Sequence, residues 1–191
     1  MSGGFSGLEE ALGGIEQARR AGLGPIKVNV VVQRGLNDHT VVELLERFRG
    51  TGVIVRFIEY MDVGNRNHWR SEAVVHSSEL LARIARHWPL EPLQPSYRGE
   101  VAERYAFSDG GGEVGFISSI TQPFCGDCSR ARLSSDGVLY TCLFATHGVA
   151  LRDKLRSGAS DDSLLDLLRD TWRARTDNYS EQRRTRLADA A

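Results

Sequence analysis

The chain has 191 residues, of which 41% are hydrophobic and 26% are charged, and its formal net charge at neutral pH is −1. These values are typical of a globular protein, and a net charge near zero provides no field that would recruit nucleic acid or an anionic membrane. No apolar run approaches the roughly 20 residues of a membrane-spanning helix, and no basic stretch followed by an apolar one marks a signal peptide, so we expect a cytoplasmic protein.

The first half of the chain alternates helical and extended patterns. The spacing of its apolar residues predicts helices over 8–22, 39–50 and 77–87, and buried strands over 26–33 and 53–61. This order is typical of parallel α/β architecture. Because two strands are too few for a stable sheet covered on both faces, we expect residues 1–90 to belong to a larger barrel or sheet.

The second half has a different texture. Three prolines after residue 88 predict a linker, and hence a boundary between a domain over 1–90 and a small α+β domain over 91–191. The tail from Thr176 is polar, and we expect it to be mobile. The remaining elements are predicted strands over 100–107, 113–119, 130–134 and 137–141, then helices over 149–157 and 161–175, the last with leucines 164, 165, 167 and 168 facing inward.

The three cysteines of the chain, Cys125, Cys128 and Cys142, are spaced as C-x2-C-x13-C. An odd, clustered set of thiols argues against a disulfide framework and favours metal binding in a reducing compartment. A structural metal site normally has four protein ligands, whereas a site held by three leaves a position open for a substrate. The spacing therefore predicts a metal centre with an open position.

Two other interpretations of the cysteines stay open at this point. His147 lies five positions after Cys142, and a fourth ligand there would complete a Cys3His zinc site with a purely structural role. A thiol–disulfide exchange role for Cys125 and Cys128 is less consistent with the sequence, because such pairs normally begin a helix and here the following segment is predicted to form strands.

Two arginines follow the second cysteine closely. Arg130 and Arg132 alternate along the predicted strand 130–134, so their side chains should share one face. Guanidinium groups match phosphate oxygens in bidentate fashion. A solvated strand face is the alternative, but beside an open metal position we expect an anionic, phosphate-bearing substrate.

The first half of the chain offers further candidates. Lys27 begins a predicted buried strand, where an ammonium group needs an anionic partner or a water-lined cavity, and Arg56 has a similar place in the next strand. An internal ion pair, such as Arg56 with Glu59, is the alternative. Met61 ends the second strand, where it either fills the core or lies near a ligand, since βα barrels bind ligands at the carboxyl ends of their strands.

Three segments together resemble the GTP 3′,8-cyclase family (molybdenum cofactor biosynthesis protein A). They read KVNVVVQRGLND at 27–38, VRFIEYMDVGN at 55–65 and FCGDCSRARLSSDGVLYTCLF at 124–144. The segments come in the family's order and at about its spacing, and the resemblance covers most of residues 5–175.

The resemblance implies a radical S-adenosylmethionine enzyme with a partial (βα)6 barrel and two [4Fe–4S] clusters. One cluster, near the N-terminus, cleaves S-adenosylmethionine to a radical that abstracts the 3′ hydrogen of GTP, and the resulting carbon radical attacks C8 of the guanine. The product, 3′,8-cyclo-7,8-dihydro-GTP, proceeds to cyclic pyranopterin monophosphate. The second cluster holds the guanine through its unligated iron.

By the same resemblance, each candidate residue acquires an implied role. The cysteines 125, 128 and 142 match the ligands of the second cluster. The matches to residues that contact GTP are Lys27, Arg56, Arg130, Ala131 and Arg132. Met61 matches a residue that contacts S-adenosylmethionine.

The chain departs from the family pattern in three respects. It contains no C-x3-C-x2-C, so it cannot hold the radical-generating cluster, and it lacks the first half of the family's barrel with most of the S-adenosylmethionine site. It also ends without the family's Gly-Gly. We therefore expect the chain to be the C-terminal portion of such an enzyme, inactive alone, with GTP as its ligand. A separate N-terminal half or a homodimer partner is expected, and the cyclic pyranopterin monophosphate synthase step is the functional link. A stand-alone cluster- or zinc-binding nucleotide module is the alternative.

Overall fold

A computed structural model describes residues 7–62, 69–122 and 124–179. The described residues form two compact units, one over 7–62 and 69–121 and the other from residue 122 to 179. The elements of the first unit are α1 (Leu8–Arg20), β1 (Lys27–Val32), α2 (Val41–Phe48), β2 (Ile54–Glu59), α3 (Ser77–Ala85), β3 (Leu90–Leu93), β4 (Glu103–Phe107) and β5 (Glu113–Ile117). Those of the second are β6 (Arg132–Leu133), β7 (Val138–Tyr140), β8 (Val149–Ala150), α4 (Leu151–Arg156) and α5 (Asp161–Arg173).

The first unit contains a five-stranded mixed sheet in the order β1-β2-β5-β4-β3. β1, β2 and β5 are parallel to one another in that order, whereas β4 and β3 continue the sheet antiparallel. The α/β class with a parallel-containing sheet is thus confirmed. The finer expectation, a partial barrel, stays a prediction.

The sheet extends past the predicted domain boundary at residue 90. β3 lies in the segment interpreted as a linker, and Pro92 is accommodated because β3 is an edge strand, where a missing N–H is tolerated. β4 and β5 then form the predicted hairpin across the glycine-rich turn and supply the neighbour that β2 lacks in the first half of the chain. The two compact units meet in the sequence after Thr121.

One face of the sheet forms the hydrophobic core of this unit. Val55 and Phe57 alternate along β2 and are each 1% exposed, and Phe116 of β5 packs beside Phe57. The covering residues recur at helical spacing and come from α2 (Val41, Leu45, Phe48) and α3 (Leu80, Ile84). α2 and α3 therefore each bury an apolar face, whereas α1 has no fully buried residue.

The second unit has a three-stranded antiparallel sheet, β6-β7-β8, followed by α4 and α5. The predicted hairpin across Ser135-Asp136-Gly137 is present, although its strands are shorter than expected. The prediction for α5 is wrong in part: Leu165 and Leu168 are 43% and 37% exposed. α5 packs against α4. Because α4 has only six residues, it is too short to cover all four leucines of α5.

Gly148 has no room for a side chain. A Cβ there would lie 2.6 Å from the Leu139 carbonyl oxygen and 2.6 Å from a Val138 methyl group. We expect Gly148→Ala to destabilise the second unit by about 1–3 kcal/mol, since the neighbouring atoms include backbone that cannot move cheaply. Faster amide hydrogen exchange in β7 would show this.

The matched control is Gly13→Ala in α1, where a Cβ would meet nothing within 4 Å. Alanine there should stabilise the helix by about 0.5–1 kcal/mol. Equal exchange of the β7 amides in the Gly148 variant and the unsubstituted chain would contradict the steric argument.

None of the helices in the described ranges combines the length and the apolar character needed to cross a bilayer.

Candidate functional site

The β6–β7 hairpin brings the two cysteine segments to the same end of the second unit. Arg132 pairs with Tyr140, and the hairpin turn lies at the other end of the two strands. Cys128 precedes β6 by four residues and Cys142 follows β7 by two, so both leave the open end of the hairpin. The pairing of β6 with β7 therefore places Cys128 and Cys142 at the same end of the hairpin.

Hydrogen bonds shape each cysteine segment locally. The Cys128 amide donates to the Cys125 carbonyl at 3.2 Å and closes a tight turn. The Phe144 amide donates to the Cys142 thiol sulfur at 3.4 Å. All three cysteines are free and half-buried, which suits ligands that a metal centre would cover.

Arg130 gives Cys128 its electrostatic environment. The Nε and Nη2 atoms of Arg130 each lie 3.3 Å from the Cys128 sulfur, and the guanidinium lies 4.8 Å from the centre of the Phe124 ring. Burial alone would raise the pKa of the Cys128 thiol, but the Arg130 N–H groups and charge, with the charge of Arg175, outweigh it and lower the pKa. The thiolate is the form that binds metals.

Two cavities adjoin the cysteines. One, of about 370 Å³, is lined by Cys125 and Cys128, and the other, of about 350 Å³, by Cys142 and His147. Residues 176–178 line both cavities. This part of the chain was expected to be a mobile tail, yet its described residues form a wall that the cavities share.

The thiols are not arranged as a preformed metal site. Within the described residues, no group of three or more histidine, cysteine or acidic side chains is gathered closely enough to hold a metal ion. The donor set still fits an iron–sulfur cluster chemically, because it consists of three free thiols, one of them with a lowered pKa. The ligand assignment stays a prediction.

The predicted relation between the two arginines is wrong. β6 begins at Arg132, so Arg130 lies outside the strand and its guanidinium is directed to Cys128. Alternation along one strand therefore does not relate the two side chains. Arg130, Ala131 and Arg132 are all exposed, as a segment that binds a ligand requires.

Lys27 and Arg56 lie on the first unit's sheet, on the face opposite the hydrophobic core. Asn29 pairs with Arg56 in parallel register, and Lys27 is two residues before Asn29, so the three share this face. The interpretation of Lys27 as buried is wrong, because its side chain is exposed at the edge strand. Two cationic groups thus share one face of the sheet, Lys27 exposed and Arg56 largely covered.

The ion-pair partner of Arg56 is Glu100, and not Glu59 as considered from the sequence. The Arg56 Nη2 lies 3.7 Å from a Glu100 carboxylate oxygen, and the Glu100 side chain is only 3% exposed. Glu59 belongs to the core face, because odd and even positions of β2 point in opposite directions. No signal in the sequence links Glu100 to Arg56 across 44 positions.

Met61 lies two residues beyond β2 and is half-buried. It is neither a fully buried core residue nor fully exposed. Residues 63–68, which follow it closely, lie outside the described residues. The expected contact of Met61 with S-adenosylmethionine stays a prediction.

Comparison with known proteins gives a consistent result. The profile of the family described as Molybdenum Cofactor Synthesis C matches residues 53–181. A GTP 3′,8-cyclase of Xanthomonas campestris pv. campestris (strain B100) is 54% identical over 183 residues, which are 96% of this chain and 53% of that protein. A GTP 3′,8-cyclase of Acidothermus cellulolyticus is 52% identical over 180 residues, which are 92% of this chain and 50% of that protein.

A third relative, the GTP 3′,8-cyclase of Synechococcus sp. (strain WH7803), is 46% identical over 187 residues. The chain spans about half the length of the curated relatives it matches. The matched region includes both arginines and all three cysteines of the second unit. The chain belongs to the molybdenum cofactor synthesis C family and corresponds to a C-terminal portion of the GTP 3′,8-cyclases.

Proposed function

We propose that this chain is the portion of a GTP 3′,8-cyclase that binds the second [4Fe–4S] cluster and GTP during synthesis of the molybdenum cofactor. The observation that carries the proposal is the Arg130 guanidinium at 3.3 Å from the sulfur of Cys128, one of three free thiols. This contact joins a thiolate ligand to a cation beside a cavity.

Cys125, Cys128 and Cys142 would hold the cluster. When bound, a cluster held by three cysteines would supply an iron whose remaining position accepts an atom of the substrate. The chain's own contribution is to lower the pKa of the Cys128 thiol through Arg130, which favours the thiolate. Ala131, next to Arg130, is assigned to GTP with it. The exposed Arg130 and Arg132 then bind the GTP phosphates as charge-assisted donors.

Lys27 and Arg56 are assigned to GTP as well. Both are cationic, and both lie on the sheet face opposite the hydrophobic core, Lys27 exposed and Arg56 with a side chain that is only 14% exposed. The Arg56 Nε is buried and has no hydrogen-bond partner among the described residues, so this group has a donor to offer. Met61 is assigned to S-adenosylmethionine.

The rest of the reaction requires groups that this chain does not contain. No C-x3-C-x2-C is present, so the radical-generating cluster must come from another polypeptide segment. We propose a separate N-terminal half as its source, and no turnover by the lone chain. A homodimer partner, the other partner considered, would bring the same sequence and could not supply this motif. The cyclic pyranopterin monophosphate synthase step would use the product.

A zinc-binding nucleotide module is the second candidate. It is favoured by one observation, that Cys142 and His147 line the same cavity, as a Cys3His site would need. The two candidates differ in the metal bound and in the part played by His147. Metal binding by the His147→Ala variant separates them.

A titration of GTP into the anaerobically iron-loaded chain tests the proposal. Arg130→Ala and Arg132→Ala should each weaken GTP binding by at least about 1 kcal/mol, roughly fivefold, since each removes a charge-assisted phosphate contact. Arg169→Ala is the matched control, because Arg169 is exposed on α5 and pairs with Asp166. Unchanged affinity in both test variants would refute the assignment of these arginines.

A further inference from the structure

We infer that Arg175 and Asp177 form a clasp that positions the two cysteine segments of the second unit relative to each other. The first segment is residues 124–128 and the second is residues 141–144. The effect of the clasp on cluster assembly rests on the proposed function, in which the three cysteines are the cluster ligands. The geometric claim itself concerns the metal-free chain.

The clasp is a continuous chain of polar contacts. Arg175 Nη1 donates a hydrogen bond to the Cys128 carbonyl oxygen. Arg175 Nε lies 3.6 Å from the Asp177 Oδ2 atom, and the same oxygen accepts a hydrogen bond from the Thr141 hydroxyl. Thr141 directly precedes Cys142. One ion pair therefore connects the backbone of one ligand segment to the side chain next to the other ligand.

The ion pair is sheltered from water. The Arg175 side chain is 11% exposed and that of Asp177 is 26% exposed, whereas the exposed Arg173–Asp170 pair on α5 has values of 78% and 76%. The Arg175 guanidinium also lies 4.7 Å from the centre of the Trp172 ring. Shielding strengthens charge-assisted contacts, and the aromatic ring restricts the guanidinium to one orientation.

A second contact anchors the same stretch of chain. The rings of Phe144 and Tyr179 stack with centroids 3.9 Å apart and planes inclined by 15°. Phe144 belongs to the second cysteine segment, and Tyr179 lies two residues beyond Asp177. The short stretch 175–179 therefore contacts both segments and also lines both cavities.

Strand pairing alone leaves the ligand segments underdetermined. The ladder between β6 and β7 ends at the Arg132–Tyr140 pair, and three residues separate Arg132 from Cys128. No backbone ladder crosses that gap. The clasp supplies the missing constraint, which makes Arg175 and Asp177 positioning residues for the cluster ligands.

The test begins with the metal-free, reduced chain. A short bifunctional maleimide cross-links Cys142 to the first cysteine segment, and the product is quantified by peptide mass spectrometry. The cross-linking rate should fall by about threefold or more in each of three single variants, Arg175→Gln, Asp177→Asn and Thr141→Val. The double variant of Arg175 and Asp177 should cross-link no more slowly than the single variants, because the contacts act as a unit. Arg173→Gln and Asp170→Asn, the exposed pair on the preceding helix α5, should leave the rate unchanged.

The iron-loaded chain provides the second readout. The clasp variants should take up less than half the iron and sulfide of the unsubstituted chain, and the remaining reduced clusters should show a changed electron paramagnetic resonance spectrum. Thr141→Val, which is nearly isosteric, retains the fold if the charged variants unfold. Unsubstituted cross-linking rates in all three single variants would overturn the clasp. Failure of the unsubstituted chain to bind iron would instead overturn the proposed function, and the metal-free rates would still decide on the clasp.

Discussion

Replacement of Glu59 by Gln should lower the free energy of unfolding by about 2–4 kcal/mol. Glu59 ends β2 on the core side of the sheet and is 1% exposed. One carboxylate oxygen accepts hydrogen bonds from the Ser77 amide at 2.9 Å and the Thr121 hydroxyl at 2.6 Å. The other accepts from the Ile120 and Thr121 amides, both at 2.9 Å.

The size of the effect follows from these four donors. Glutamine turns one acceptor oxygen into an NH2 group. If its oxygen keeps the Ile120 and Thr121 amides, the NH2 group faces the Thr121 hydroxyl, which can turn to accept, and the Ser77 N–H, which loses its partner. Buried hydrogen bonds to a charged group contribute about 1.5–3 kcal/mol each, and a donor left unsatisfied adds a desolvation cost. The Glu59 carboxylate connects β2 to the start of α3 and to residues 120–121, which follow β5. Its loss should therefore destabilise the contacts among these three parts of the chain.

Urea denaturation and hydrogen exchange at Ile120 and Thr121 are the measurements for this variant. Glu46→Gln on the exposed face of α2 is the matched control and should stay within about 0.5 kcal/mol of the unsubstituted chain. An unchanged denaturation midpoint for the Glu59 variant would show that the hydrogen bonds contribute no net stability.

Removal of any one cysteine ligand should abolish the iron–sulfur centre. The unsubstituted chain, reconstituted anaerobically with iron and sulfide, is expected to be brown and to hold about four iron atoms and four sulfides. Cys125→Ala, Cys128→Ala and Cys142→Ala should each reduce this content to background, because two thiolates do not retain a cubane cluster. Metal and sulfide analysis with absorption spectra provides the readout.

His147→Ala separates the cluster from the zinc alternative. His147 is exposed at the Cys142 cavity, so a cluster held by three cysteines should assemble normally without it. A Cys3His zinc site would lose its fourth ligand and bind zinc much more weakly. If the chain is colourless and air-stable and binds stoichiometric zinc only when His147 is present, the cluster proposal is wrong.

Local structure was largely accessible from the sequence because short-range periodicity encodes it. The apolar spacing of Val42, Leu45 and Phe48 predicted α2, although Val41 and not Val42 is the buried valine of its first turn. The glycine-rich turn at 110–112 predicted the β4–β5 hairpin. The leucines of α5 show the limit of this reasoning. A pattern states which face prefers burial, but the size of the neighbour decides how much is buried.

The candidate site was accessible only in part. The cysteines and the arginines at 130 and 132 were identified as candidates from residue type and spacing. Thiols are soft metal ligands and guanidinium groups bind phosphate, and these properties do not depend on the fold. Arg175, Asp177 and Glu100 were missed because single charged residues at ordinary positions carry no local signal. Their importance arises from contacts that join residues far apart in the chain.

By itself the sequence determined the helices, most strands, the resemblance to the GTP 3′,8-cyclase family and the residue types that could act as ligands. Tertiary structure alone decided that β5 pairs with β2, that Glu100 and not Glu59 neutralises Arg56, and that Arg130 is directed to Cys128. The physical reason is one of range. Periodicity and side-chain chemistry are properties of neighbouring residues, whereas strand partners, ion pairs and burial depend on which distant segments the folded chain brings into contact.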